Sequence, residues 1–290
     1  MGKRRLILYF ILVVFFTMFN FYYRPVSRNT LITEKYRNSS AYVNDLYMSD
    51  EYFKKNVIPK EDLYLYEAIY KDIKEGKDKS SILCQGSAEE SCTGSFYDIY
   101  HVLYLDHPEL IIFQGMGAHY NNSVIEPYYY HLSKLKTYLG TKRIQREIDI
   151  IKKETKNMNE KEKIIYVYNY VASHQYDRIF MFSMGNQSAY SFFSKNSSVC
   201  AGFAKASQLI FQNIGIKSYP VLGDEHMWNY VEYNGKYYVF DATVGASYVN
   251  KSHKNYYEGL GRTTVGSIYG FYKELYPTIE ETPLKEIFGL

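Results

Sequence analysis

The chain has 290 residues, 46% of them hydrophobic, with 34 Lys and Arg set against 31 Asp and Glu. That length and apolar content are enough for one large domain or for a small domain beside a larger one, and they rule out a disordered chain. The formal charge of +3 equals the contribution of Lys3, Arg4 and Arg5, so the sequence from residue 6 onward is neutral and offers no basic surface to a nucleic-acid backbone.

Residues 6–23 contain no charged residue, no Gly and no Pro. Eighteen residues at helical rise reach about 27 Å, close to the hydrocarbon thickness of a bilayer. The basic triplet before them keeps the N-terminus cytoplasmic by the positive-inside rule and sends the rest across, with Tyr22 and Tyr23 in the far interface. A cleaved signal peptide is the rival reading, but the run is long for one and no small-x-small cleavage signal follows. Residues 1–24 are therefore expected to be a signal anchor, placing the remainder outside the cytoplasm with the membrane as its partner.

Residues 24–58 are polar with scattered aromatics and read as a stalk. Pro59 then opens a helix in which Leu63, Tyr66, Tyr70 and Ile73 recur at helical spacing before Gly76. Cys84 and Cys92 lie in a polar, Gly-containing stretch and are near enough to close a small disulfide loop in an oxidising compartment, which leaves Cys200 unpaired. A second helix is expected over residues 96–105, stopped by Asp106-His107-Pro108 because proline disfavours helix in the residue before it. Ile111-Ile112-Phe113 and residues 128–130 read as short strands, so residues 25–135 form a stalk and a small α+β region.

Further on, Ile144, Ile148 and Ile151 share one face of a helix whose opposite face is rich in Lys and Glu. Asn159 with Glu162 forms a capping pair for a fourth helix, with Ile164, Tyr168 and Val171 inward. The 34 tyrosines are spread along the chain, as amphipathic core and surface residues are, and do not gather into one binding platform.

The chemistry concentrates after residue 196. Ser197-Ser198-Val199-Cys200 precedes an apolar pattern of Phe203, Ala206, Ile210 and Ile214 closed by Gly215, which puts Cys200 in the first turn of a helix with a serine placed to cap it. Unpaired N–H groups and the positive end of the helix dipole favour thiolate over thiol there. Residues 218–222 read as a strand, and His226 opens a second one through Tyr233. Asn234-Gly235 supplies a tight turn, and Asp241 closes the returning strand. Tyr233 then opposes Lys236, which brings His226 diagonally near Asp241. A thiol, an imidazole and a carboxylate so placed have the roles of nucleophile, acid and base, and orienting group in acyl transfer.

Val199-Cys200-x-Gly202-Phe203-Ala204, His226-x-Trp228-Asn229 and Asp241-x-Thr243 resemble, in order and spacing, the transglutaminase-like superfamily. Tyr176-Asp177, Ala189-Tyr190 and the Gly215-Ile216 helix exit are similar to its bacterial members, and Asp106-His107-Pro108-Glu109 is similar to a segment upstream of the domain in exported ones. The resemblance covers about residues 160–245 and implies an α+β, papain-like fold with the thiol on a helix packed against an antiparallel sheet carrying His and Asp. The catalytic domain is accordingly expected over residues 136–255, with residues 256–290 as an extension. By the same resemblance Tyr190 matches the position of an oxyanion-stabilising group, and Trp228 either walls an acyl channel or is a half-buried strand residue.

His101, His107, His119, His131, His174 and His253 have no cysteine or carboxylate at metal-ligand spacing, so no metal or other cofactor is expected. Asp224-Glu225 is placed to tune His226 or to be solvated. The expectation is a membrane-anchored, extracytoplasmic thiol enzyme acting on amide bonds of protein or peptide substrates, cell-wall material among them, as a protease, an amidase or a cross-linking transglutaminase. A binding or scaffold module that keeps the fold without turnover is the alternative, which the intact Cys200, His226 and Asp241 argue against.

Overall fold

The structure is a computed structural model. It describes residues 50–85, 89–121, 123–179, 183–195, 197–248, 251–264, 266 and 274–290. The chain divides into two compact units, Met1–Ser40 and Ala41–Leu290. The first unit, and with it the expected membrane segment at residues 6–23, lies outside the described residues. Among the described residues no helix is long and apolar enough to cross a membrane.

The second unit opens with helix α1 (Tyr52–Val57), a 3-10 turn (Lys60–Asp62), helix α2 (Leu63–Glu75), strand β1 (Ile82–Leu83) and helix α3 (Glu89–Asp106). Strands β2 (Phe113–Asn121) and β3 (Val124–His131) follow, and the three strands form an antiparallel sheet in the order β1-β3-β2. Part of the expected stalk is thus helical: Phe53 of α1 is fully buried, so this stretch belongs to a packed core. Helix α2 ends where expected, with Gly76 at φ 65. Tyr66 and Ile73 of the expected face are buried, with Leu65 and Ile69 beside them, while Leu63 and Tyr70 are half-buried. Of the expected strand at Ile111-Ile112-Phe113, only Phe113 enters β2, because a turn after Pro108 ties the Ile111 N–H to the Glu109 carbonyl at 2.7 Å.

Next come helices α4 (Lys134–Thr155) and α5 (Glu160–Ala172), strand β4 (Gln175–Tyr176), helix α6 (Ala189–Lys195), strand β5 (Ser197–Ser198) and helix α7 (Cys200–Asn213). Helix α5 starts on the expected capping box: Asn159 Oδ1 accepts from the Glu162 N–H at 2.9 Å, and Glu162 Oε2 accepts from the Asn159 N–H at 2.9 Å. Strands β6 (Ser218–Leu222), β7 (Met227–Tyr233) and β8 (Lys236–Phe240) form a second antiparallel sheet in sequence order. A 3-10 turn (Met184–Asn186) precedes α6, and helix α8 (Ala242–Ala246), a 3-10 turn (Tyr256–Leu260) and helix α9 (Leu284–Phe288) follow the sheet. The β7–β8 hairpin has the register expected from its turn, with Tyr233 opposite Lys236 and Asn229 opposite Phe240.

Helix α7 lies between two apolar cores, and that explains its composition. All of its residues from Ala201 to Phe211 are buried, as an internal helix requires. Phe203, Ala206, Leu209 and Ile210 pack into a core with Ile148, Ile164, Tyr168 and Phe240. On its other side, Ala201 and Ala204 join a core with Phe53, Tyr66, Phe96, Val221 and Trp228. The small residues face the sheet, which lets the backbone of α7 come close to β7: Asn229 Nδ2 donates to the Ala204 carbonyl at 3.0 Å. The start of α7 is thereby held against the start of β7.

Candidate active site

Cys200 is the first residue of α7 and the free cysteine among those described. The expected serine cap does not form. Val199 is the capping residue and supplies no side-chain acceptor, because the Ser198 hydroxyl is used elsewhere, donating to the Asn186 carbonyl at 2.6 Å and pairing with Ser191 Oγ at 2.7 Å. The first N–H groups of α7 therefore have no side-chain cap. Gly202 follows from the same packing, since a Cβ there would lie 1.9 Å from Ser198 Oγ and 3.0 Å from the Ser188 carbonyl oxygen.

His226 immediately precedes β7, and Asp241 follows β8 as the capping residue of α8, accepting from the Thr243 N–H at 3.2 Å. The structure brings the two together, with His226 Nε2 3.0 Å from Asp241 Oδ2. The other carboxylate oxygen also accepts from the Thr243 hydroxyl. The backbone of Asp241 is fixed as well, its N–H donating to the Gly259 carbonyl at 3.0 Å; a Cβ on Gly259 would come within 1.9 Å of the Asp241 carbonyl oxygen. With Nε2 occupied by the carboxylate, Nδ1 is the ring nitrogen left for the thiol, and Cys200 and His226 interact electrostatically across the cleft they both line.

The electrostatics follow from that chain of contacts. Burial disfavours the thiolate of Cys200, but the hydrogen bond and charge of His226 outweigh it and lower the thiol pKa below its ordinary value. Burial likewise opposes protonation of His226, yet its bonds to Asp241 and Cys200 push its pKa up to about 9. Both shifts favour a thiolate–imidazolium pair near neutral pH. The Tyr176 phenol lines the same cleft as the thiol, and burial together with the Cys200 charge raises its pKa to about 12.

These groups open on a cleft of about 500 Å³. Tyr104 of α3 and Tyr176 stand on its walls with apolar Leu222 and Met227, while Asp224 and Glu225 form an exposed acidic lip. Tyr190, matched by resemblance to an oxyanion group, is not among the residues lining this cleft. Its ring lies on Gly140 of α4, so close that a Cβ there would sit 2.5 Å from Tyr190 Cδ2. The phenol at the thiol is that of Tyr176, which the sequence marked as part of a motif without assigning a role. Trp228 does not line the cleft either. It is 2% exposed, and its ring is roughly parallel to that of His226 with centroids 6.0 Å apart, so it supports the imidazole from the core side.

Cys84 and Cys92 are joined as a disulfide, with Cα atoms 6.0 Å apart. Among the described residues no group of three or more His, Cys, Asp or Glu is arranged to hold a metal. His107 sits in a buried chain: its Nδ1 is 2.6 Å from Glu109 Oε1 and its Nε2 is 2.8 Å from the Tyr66 hydroxyl. No local signal in the sequence placed Tyr104 at the site, because it comes from a helix about a hundred residues away.

The chain matches no family model and no curated protein. Among solved structures it is similar to one described as a TGase, at 14% identity and a TM-score of 0.34, over 69% of this chain and 56% of that one. It is also similar to a proposed cysteine protease from Cytophaga hutchinsonii, at 14% identity and a TM-score of 0.29, over 58% of this chain and 65% of that one. This chain thus spans less than two thirds of the length of either. At such TM-scores the likeness decides nothing about the chemistry, which rests on the residues themselves.

Proposed function

We propose that the protein is a transglutaminase-like thiol enzyme that transfers acyl groups from amide bonds of protein or peptide substrates through a thioester on Cys200. The observation that supports this reading most is that Cys200 and His226 line one cleft while His226 Nε2 is hydrogen-bonded to the buried Asp241 behind it. In the proposed cycle the Cys200 thiolate attacks the amide carbon. The developing oxyanion lies near the N–H groups of the first turn of α7, where backbone dipoles stabilise it. His226 donates its proton to the leaving amine, the C–N bond breaks, and an acyl thioester remains. Neutral His226 then takes a proton from water or from an acceptor amine, whose attack restores the thiol and releases an acid or a new amide. Asp241 holds the tautomer and balances the imidazolium charge without itself taking the proton.

The test is reactivity of the thiol with iodoacetamide at pH 6, with the labelled site mapped by mass spectrometry. An ordinary thiol of pKa about 8.5 is almost wholly protonated there, whereas a thiolate–imidazolium pair is not. Cys200 in the native protein is expected to react on the order of tenfold faster than in the unfolded chain, and Cys200→Ala should take no label at that rate. Native labelling no faster than unfolded labelling would sink the enzyme reading in favour of a binding module.

A further inference from the structure

Asp241 has a second cationic neighbour. Its Oδ2 is 3.0 Å from His226 Nε2 and 3.5 Å from Nη1 of Arg262, so one carboxylate oxygen is shared between imidazole and guanidinium. Arg262 lies beyond the motifs that mark the triad, in the stretch read from sequence as a C-terminal extension. It is nonetheless delivered by a fixed segment. The 3-10 turn just before it is tied down by the Gly259 carbonyl, which accepts from Asp241, by the Tyr256 carbonyl, which accepts from the Tyr168 hydroxyl at 2.6 Å, and by Leu260, which is fully buried.

The charges facing His226 are otherwise of one sign. Cys200 from α7 and Asp241 both favour the imidazolium, and Asp224 and Glu225 stand beside it in the loop before β7. The phenols turned toward these groups, Tyr176 from β4 and Tyr168 from α5, both have raised pKa values and are neutral near pH 7. Arg262 is the cation that acts against this set among the ion pairs of the described residues. Because Thr243 holds the other carboxylate oxygen through its N–H and its hydroxyl, Asp241 does not need Arg262 to stay in place. What the guanidinium changes is therefore chiefly charge.

We propose that Arg262 is a positioning residue of the triad: by sharing Asp241 Oδ2 with His226 it weakens the carboxylate's hold on the imidazolium, so that His226 gives up its proton to the leaving group more readily. This rests on the acyl-transfer reading above. A general acid is most effective when its pKa lies near the working pH, and His226 already stands high, at about 9. Taking the positive charge away leaves the imidazolium with one repulsive neighbour fewer, so the sign of the effect is upward.

The experiment is an NMR titration of the full chain labelled at histidine Cε1, with the His226 signal assigned by its absence in His226→Gln. In Arg262→Gln the His226 pKa is expected to rise by about half to one unit, a Coulombic effect at a few ångströms discounted for the partial exposure of the guanidinium. Arg262→Lys should restore the wild-type value. Arg262→Met, which keeps the aliphatic stem, carries the same expectation as Arg262→Gln and replaces it if that variant does not fold. An unchanged or lowered pKa in the neutral variants overturns the proposal, as does failure of lysine to restore it, since a merely structural role would change the melting temperature and leave the titration where it was. The titration needs no substrate: a shift of the expected sign in a protein with an unreactive Cys200 would overturn the enzyme reading alone.

Discussion

At the scale of single residues, the site depends on which carboxylate His226 binds. Two candidates flank it, and the structure separates them: Asp241 is 1% exposed and hydrogen-bonded to Nε2, whereas Asp224 lies on the exposed lip of the cleft. A buried carboxylate in direct contact stabilises the imidazolium far more than one screened by water. Asp241→Asn keeps the side-chain shape and removes the charge that raises the pKa of His226, so labelling of Cys200 at pH 6 should slow markedly and turnover should fall by about 10² to 10⁴. Asp224→Asn should alter turnover by less than about threefold, as expected of a solvated charge. The comparison is made on one thiol-labelling and amide-cleavage assay. A severe loss in Asp224→Asn with a mild one in Asp241→Asn would reassign the third member of the triad.

At the scale of elements, the reactivity of Cys200 depends on how the first turn of α7 is seated. Ser198, Ser191 and the Asn186 carbonyl form a small buried polar cluster against which Gly202 packs without a side chain. A methyl group at Gly202 has to displace the Ser198 hydroxyl, and the Ser188 backbone oxygen beyond it leaves little room to give. Gly202→Ala is therefore expected to cost about 1–3 kcal/mol, the range of overpacking in a filled core, and to slow Cys200 labelling because the turn carrying the thiol shifts. Ser198→Ala alone loses the two hydrogen bonds of its hydroxyl, and the double variant should cost less than the sum, since both substitutions act on one contact. Urea unfolding of the three variants measures this, and strict additivity, or a Gly202→Ala protein as stable and reactive as wild type, contradicts it.

At the scale of the whole molecule, residues N-terminal to the motifs share a core with the helix and sheet that carry Cys200 and His226. Phe53 of α1, Leu65, Tyr66 and Ile69 of α2, and Phe96 and Ile99 of α3 share one apolar cluster with Ala201 and Ala204 of α7 and Trp228 and Tyr230 of β7. The Gln208 side chain of α7 also donates to the Leu105 carbonyl at 2.9 Å. Burying a side chain of this size is worth about 1.5–3 kcal/mol, and deleting these elements leaves the sides of α7 and β7 that they cover exposed to water. A fragment of residues 136–290 is therefore expected to be unfolded or aggregated by circular dichroism and gel filtration, and one of residues 41–290 to be folded. A soluble, cooperatively melting 136–290 fragment would show that the N-terminal region is an addition to the core and not part of it.

Much of the site was legible in the sequence because its signals are local. Helix position follows from the apolar spacing after Cys200, and the hairpin register follows from the two-residue turn at Asn234-Gly235, which brings His226 to Asp241 with no knowledge of the rest of the chain. The capping box at Asn159 and the closeness of Cys84 and Cys92 are readable for the same reason. The membrane-anchor expectation rests on sequence alone. Tertiary structure decided what depends on contacts across long separations, where neither spacing nor periodicity carries information. It placed the Tyr176 phenol at the thiol while Tyr190 packs on Gly140, and it turned Trp228 into the core. It also brought Tyr104 to the cleft and Arg262 to Asp241. Which of several aromatic or charged residues meets Cys200 is settled by how helices and sheet pack. That packing is a property of the whole buried interior, and no segment of the chain specifies it alone.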